Sequence, residues 1–256
     1  MHNKQLILTS GSQESIMAYT LYPNERRGTA FHGWLRARHS FSFAGWQDQT
    51  RMGVSALRVI NEDQIAAHNG FGMHSHDNME ILTCVLSGHL THKDSMGNVG
   101  HLSRGQWQLM SAGTGVTHSE MNDGDVPVHL LQIWLYPNVR NPAPNYQELT
   151  LDVQTQANQW HLIAAPETDG DHASAMTIRQ DARILSTYLN QGQSLPLEGL
   201  KTTNYVHVVT GQIHIQDTTT KETRVLSAGD AINFDRATKS LITADQDSQL
   251  IWFDLP

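Results

Sequence analysis

Four side chains in two short runs stand out for their chemistry. In "MHSHDNME", Met73–Glu80, His74 and His76 sit one residue apart, and in "GVTHSEMN", Gly115–Asn122, His118 and Glu120 repeat the spacing. Side chains at i and i+2 of a strand share a face, about 7 Å apart along it, so each pair can present two donors to one point. Two such pairs meeting inside a barrel supply three imidazoles and a carboxylate. That donor set suits Fe(II), Mn(II), Ni(II), Cu(II) or Zn(II), and coordination positions remain for water, dioxygen or substrate. The first run also carries Glu80, four residues past His76, and a turn at Asp77–Asn78 could bring it back to the same point. Spacing therefore leaves two glutamates, Glu80 and Glu120, as candidates for the carboxylate.

The elements around these pairs read as strands. Short runs rich in Val, Ile, Leu and Thr recur between Gly, Asn and Asp, and helical periodicity is scarce, which predicts an all-β sandwich or barrel with few short helices. The predicted strands of the first half are Ala56–Ile60, Glu80–Leu86, Gly88–Asp94, Gly105–Gly113 and Val128–Pro137, with a turn at Ser95–Asn98. After Pro137 the stretch "NVRNPAPNYQEL" and the residues up to Trp160 carry no strand pattern, so 141–160 is read as a linker with one short helix. Strands resume in "HLIAAP", "ARILSTYL", "NYVHVVTGQIHIQD", "TRVLSAGDAINF" and "QLIWFDL".

The halves resemble each other. From Gly88 to Gly105 is 17 positions and from Gly211 to Gly229 is 18, each pair framing strand, polar turn and strand. This predicts a duplicated barrel of about 100 residues per copy, residues 1–140 and 161–256 flanking the linker. Carrying the first-half donors onto the second by these glycine offsets gives Leu197, Gly199, Ile242 and Ala244, none of them a ligand. The second barrel is thus expected to hold no metal, with His207 and His214 on its strand surfaces.

Composition bounds the rest. The chain has 256 residues, enough for a large core without covalent staples. The single cysteine, Cys84, excludes internal disulfides and cysteine-based zinc clusters, reads as a small core residue, and fits a reducing, cytoplasmic location. A formal net charge of −8 argues against nucleic-acid binding, and no segment has membrane length; the N-terminal apolar run is only Leu6–Leu8. Of the other first-half histidines, His89, His92, His101 and His129 read as surface or structural. His39 in "RHSFSF" is the exception, and Phe41, Phe43, Trp46 and Trp134 read as core.

"GMHSHDNMEILTCVLSG" and "GQWQLMSAGTGVTHSEMN" are similar to the two metal motifs of the cupin superfamily. "RRGTAFHGWLRARHSFSFAGW", "LRVINED" and "THKDSMGN" resemble the pirin family specifically, over Arg26–Asn138. The resemblance implies a bicupin, two tandem double-stranded β-helix barrels. Its N-terminal barrel would bind one metal, usually iron, through His74, His76, His118 and Glu120, and His39 would pack near it. Glu80 would then be a buried carboxylate orienting a ligand histidine. The resemblance further implies one of two activities. One is a dioxygenase that opens a flavonol such as quercetin with O2 and releases carbon monoxide, Glu120 taking the substrate proton. The other is an iron-dependent, redox-sensing module whose target is a protein.

Overall fold

The computed structural model describes residues 19–235 and 238–256, and the N-terminal run Leu6–Leu8 lies outside them. Among the described residues the chain is all-β, with two short 3-10 turns at Asn24–Arg26 and His172–Ser174. Among the described residues no helix is long and apolar enough to cross a membrane.

Each half is built from a large and a small sheet. In the first half a seven-stranded sheet runs Asn145–Thr150, Gln106–Ser111, Glu80–Ser87, Val128–Leu135, Leu57–Ile65, Leu35–His39, Gly28–Phe31. It faces a four-stranded sheet ordered Asn69–His76, Val116–Asn122, His89–Asp94, Val99–Ser103. The second half repeats the plan. Ala231–Asp235, Thr203–Thr210, Ser248–Leu255 and Arg183–Leu189 take the places of the four central strands, and Ser194–Leu197, Ser240–Ala244, Gln212–Asp217 and Thr223–Ser227 form its small sheet. The framing glycines superpose in conformation as well as position. Gly88 and Gly211 have φ of 78° and 83°, Gly105 and Gly229 78° and 86°, the left-handed region that glycine enters without a Cβ clash.

Two edges differ from the expected division. The stretch read as a strand-free linker contains the strand Asn145–Thr150, paired antiparallel with Gln106–Ser111, and no helix. Its alternation of half-buried and exposed positions gives no continuous apolar run, which is why it reads as linker. At the other end, Tyr19–Tyr22 crosses to the second half and pairs with Ala231–Asp235. The first described strand therefore belongs to the second barrel's sheet.

The central strands are apolar on both faces because both faces are covered. In Glu80–Ser87, Leu82 and Cys84 enter a core shared by the two large sheets, together with Trp107, Leu131 and Ile133 from the first half and Tyr205, Ile251 and Phe253 from the second. The alternate residues Ile81, Thr83 and Val85 point into the first barrel's own interior, where Ile81 and Val85 join separate clusters. Cys84 is fully buried and unpaired, and burial pushes its thiol pKa up. In the second barrel the positions matched to the donors are mostly packed: Leu197, Ile242 and Ala244 belong to its aliphatic core.

Candidate metal centre and cavity

The strands Asn69–His76 and Val116–Asn122 bring the four predicted residues to one wall of the first barrel. His118 lies opposite His74 and Val116 opposite His76. The register then shifts, and Glu120 lies opposite Phe71, three residues from His74 where two would be regular. The extra residue is a bulge at Gly72–Met73 that turns Met73 outward, 61% exposed, and leaves Phe71 facing inward.

The three imidazoles meet: ring centroids are 4.4 Å apart for His74–His118, 4.9 Å for His74–His76 and 5.0 Å for His76–His118. One donor atom from each lies within 4.8 Å of the others. His74 Nδ1 stands 2.8 Å from the carbonyl of Gly72, which can only accept, so Nδ1 carries the proton and Nε2 keeps its lone pair. His118 is fully buried, and among the described residues neither ring nitrogen is partnered, a costly arrangement unless a further group satisfies it. Burial, reinforced by the neighbouring imidazoles, lowers the pKa of His76 to about 4 and of His118 to about 3, so both are neutral donors near pH 7. The donor set and the unpartnered His118 fit a bound divalent ion.

Glu120 is fixed from the opposite sheet. Thr83 Oγ1 and Gln108 Nε2 donate to its Oε1 at 3.1 and 2.7 Å, and Gln132 Nε2 donates to its Oε2 at 2.6 Å. Burial raises its pKa against these bonds. The three donors belong to one rung: His39, Asn61, Gln132, Thr83 and Gln108 are successive cross-strand partners over five strands. A polar stripe thus crosses an otherwise apolar interior, opposite the histidines. The sequence carries this signal as polar residues at inward positions of apolar strands, Thr83 in "EILTCVL", Gln108 in "GQWQLM" and Gln132 in "VHLLQIWL", but the facing pairs cannot be matched before the register is known.

Several expectations are corrected. Glu80 is buried but touches no ligand-type histidine. It accepts from Ser111 Oγ at 2.7 Å and from the backbone N–H of Arg179 at 3.2 Å, tying the first barrel to the second half. His92, read as surface or structural, is fully buried. It stacks on Tyr146 with centroids 4.6 Å apart, its Nε2 lies 3.2 Å from Asp94, and it forms with His118 and Glu120 a second group of donors within 4.8 Å of one another. Its i+2 relation to Asp94 was available in "THKD"; its closeness to Glu120 comes from the pairing of strands, which sets the two residues opposite each other. His207 is also buried, not on the strand surface, and His214 is half-buried and paired with Asp245 at 2.8 Å. His129 contacts Glu62 at 3.0 Å on the barrel exterior side.

Beside the histidines lies a cavity of about 200 Å³. His74, His76 and Glu120 form one end, and Phe43, Phe71 and Trp134 contribute aromatic walls, with Phe43 and Trp134 edge-to-face at 5.4 Å. Phe43 and Trp134 are thus cavity walls and not only core, whereas Phe41 lies in the shared core between the barrels. His39 lines the cavity with its Nδ1 2.8 Å from Asn61 Oδ1. His76 also borders an open, polar cleft of about 420 Å³ with Asp77, Thr114 and Thr117. The site is therefore a metal-type donor cluster between a small aromatic chamber and an open mouth.

Known proteins match this chain over most of its length. The Pirin family profile matches residues 22–135 and the profile described as quercetinase C-terminal cupin domain matches 162–255. A quercetin 2,3-dioxygenase of Escherichia coli K12 is 40% identical over 243 residues, covering 94% of this chain and 99% of the relative. A pirin-like protein of Caulobacter vibrioides is 34% identical, covering 91% and 97%. The crystal structure of bacterial pirin YhhW from Escherichia coli in complex with nickel(II) superposes with a TM-score of 0.84 at 35% identity, covering 93% of this chain and 99% of that one. With two cupin barrels, this donor cluster and these relatives, the chain belongs to the pirin family.

Proposed function

We propose that the protein is a metal-dependent dioxygenase that cleaves a flavonol such as quercetin, with His74, His76, His118 and Glu120 holding one divalent ion, Fe(II) foremost. The observation that carries this reading is His118: a fully buried imidazole without a hydrogen-bond partner, set against two further imidazoles at the end of an aromatic chamber. The names of the E. coli relatives support the same substrate class. When bound, the metal would supply Lewis-acid polarisation of the substrate's hydroxyl and the redox chemistry that O2 requires.

The protein's own groups do the rest. Phe43, Phe71 and Trp134 hold a flat ring and keep water from it. Glu120 Oε2 has a single donor where Oε1 has two, so Oε2 keeps the carboxylate's one free lone pair, which would serve the metal before substrate binds and accept the substrate hydroxyl proton once it has. Burial favours the protonated carboxyl that results. His74 is held in its tautomer by the Gly72 carbonyl, and Thr83, Gln108 and Gln132 keep Glu120 from swinging during the transfer. In the overall reaction both atoms of O2 enter the opened product, and one ring carbon leaves with its oxygen as carbon monoxide.

Oxygen uptake and carbon monoxide release with quercetin, measured after separate reconstitution with Fe(II), Mn(II), Ni(II), Cu(II) and Zn(II), test this. Turnover is expected with at least one ion and should be lost in Glu120→Gln and His118→Ala. Flavonol binding with no uptake for any ion would sink the enzymatic reading and favour a metal-dependent module that binds another protein.

A further inference from the structure

The cavity beside the histidines is lined by four carboxyl or amide side chains, Asn61, Asp63, Glu120 and Gln132. Three are satisfied. Asn61 Oδ1 takes the His39 ring N–H, Gln132 donates to Glu120 and accepts from Trp134 Nε1 at 3.2 Å, and Glu120 has its three donors. Asp63 is the exception. It is 3% exposed, and among the described residues nothing donates to its carboxyl; Oδ1 is buried and unpartnered. It reaches the interior because Asn61 and Asp63 alternate with Glu62 along Leu57–Ile65, and Glu62 turns to the other side to meet Arg27 and His129.

A buried carboxyl without a donor costs stability, and the interior offers an inexpensive alternative in any aliphatic residue. The groups around it say what it faces. Among the described residues Asp63 belongs to neither cluster of metal-type donors, so no ion site is built around it there. Its neighbours across the sheet are Ala37 and Leu130, and the chamber walls are aromatic. A neutral hydroxyl on a flat ring meets all three conditions.

We propose that Asp63 is a specificity residue that accepts a hydrogen bond from a second hydroxyl of the aromatic substrate, one remote from the hydroxyl that engages Glu120. Both the carboxylate and the neutral acid keep an accepting oxygen, so the contact holds in either protonation state. At about 200 Å³ the chamber is smaller than the roughly 300–1,000 Å³ usual for whole-ligand pockets. It takes one ring of a flavonol, and the remainder emerges toward the open cleft at His76. Asp63 thereby reads the hydroxylation of the ring that enters. The ligand class rests on the flavonol reading of the same site.

The test is anaerobic binding to metal-loaded protein, followed by quenching of tryptophan fluorescence. Quercetin is compared with 3-hydroxyflavone, which keeps only the hydroxyl that engages the metal end. The wild type should prefer quercetin by about tenfold or more, the worth of one hydrogen bond to a buried charged or polar acceptor. Asp63→Leu should cut that preference to less than about threefold by weakening quercetin alone, and Asp63→Asn, which keeps an accepting oxygen, should restore part of it. Asp63→Leu should also melt no lower than wild type, whereas a purely structural aspartate would lower the midpoint. Equal losses for both flavonols in Asp63→Leu, or no preference in the wild type, overturn the proposal and leave the dioxygenase reading standing. Preference lost as expected without any oxygen uptake in air does the reverse. Failure of the wild type to bind either flavonol overturns both.

Discussion

His118 and Glu120 are separated by one residue, yet their surroundings give them opposite dependences. Among the described residues His118 has no hydrogen-bond partner, so its replacement by alanine removes a donor common to both clusters and should cost more metal affinity than any change behind it. Glu120 depends on what stands behind it. Gln132→Leu, which deletes the donor to Oε2, is expected to weaken metal binding by about 10- to 100-fold, measured by competition with a chelator. Glu80→Gln is the control, since Glu80 bonds Ser111 and the Arg179 N–H and neither histidine pair. Metal affinity should stay within about threefold while the melting temperature falls, the signature of a lost buried hydrogen bond. The ligand-type spacing of these residues was legible in the sequence because a period of two is local. The partners of Glu120 were not, because Thr83, Gln108 and Gln132 are 37, 12 and 12 residues away and meet it only through the facing of two sheets.

The strand pair Asn69–His76 and Val116–Asn122 depends on a close approach at Gly70. A Cβ there would stand 2.3 Å from the carbonyl oxygen of Glu120 and 2.7 Å from Met121 Cα. Gly70→Ala must therefore push the two strands apart, and both stability and metal affinity should drop together, read by thermal melting with and without metal. The strand Leu57–Ile65 carries a separate device. Arg27, whose side chain is 1% exposed, meets Glu62 at 2.6 Å. Burial would raise the Glu62 pKa, but the His129 hydrogen bond and the Arg27 charge outweigh it and hold the value at about 2. A folded pKa below the unfolded one means this stabilisation is complete above about pH 4.3 and is lost as pH falls toward 2. Glu62→Gln should flatten that part of the stability profile. At pH 7 it should cost about 3 kcal/mol, because it strands a buried guanidinium. This strand was expected to end at Ile60 and runs to Ile65. Its polar end hides the continuation, since inward Asn61 and Asp63 and outward Glu62 all look like loop residues until the cavity and Arg27 are in place.

For the whole molecule, the decisive surface is the core between the two large sheets. Tyr205 lies at its centre, fully buried, with ring contacts to Tyr22, Phe41 and Phe253 at 5.5, 5.6 and 6.0 Å. Tyr205→Ala should cost about 3–5 kcal/mol and lower a single melting transition shared by both halves. Two separate transitions in calorimetry would show that the barrels unfold independently, against this expectation. The crossing of Tyr19–Tyr22 to the second sheet and the bond from the Arg179 N–H to Glu80 reinforce the same coupling.

The all-β class, the duplication and the His74/His76 and His118/Glu120 pairs are legible in the sequence because each is written in short-range patterns: alternation along a strand, turn glycines at matched intervals, donors two residues apart. The sequence also marked the second barrel as the one without those donors, where Leu197, Ile242 and Ala244 now fill the core. Long-range pairing and packing fix the rest. Sheet register set His92 opposite Glu120, and the polar rung behind Glu120 formed from five strands. Strand exchange placed Tyr19–Tyr22 in the second sheet, and packing left Asp63 without a donor in an aromatic chamber. These are relations between residues far apart in the chain, and no local pattern encodes which of several equally amphipathic strands will face which.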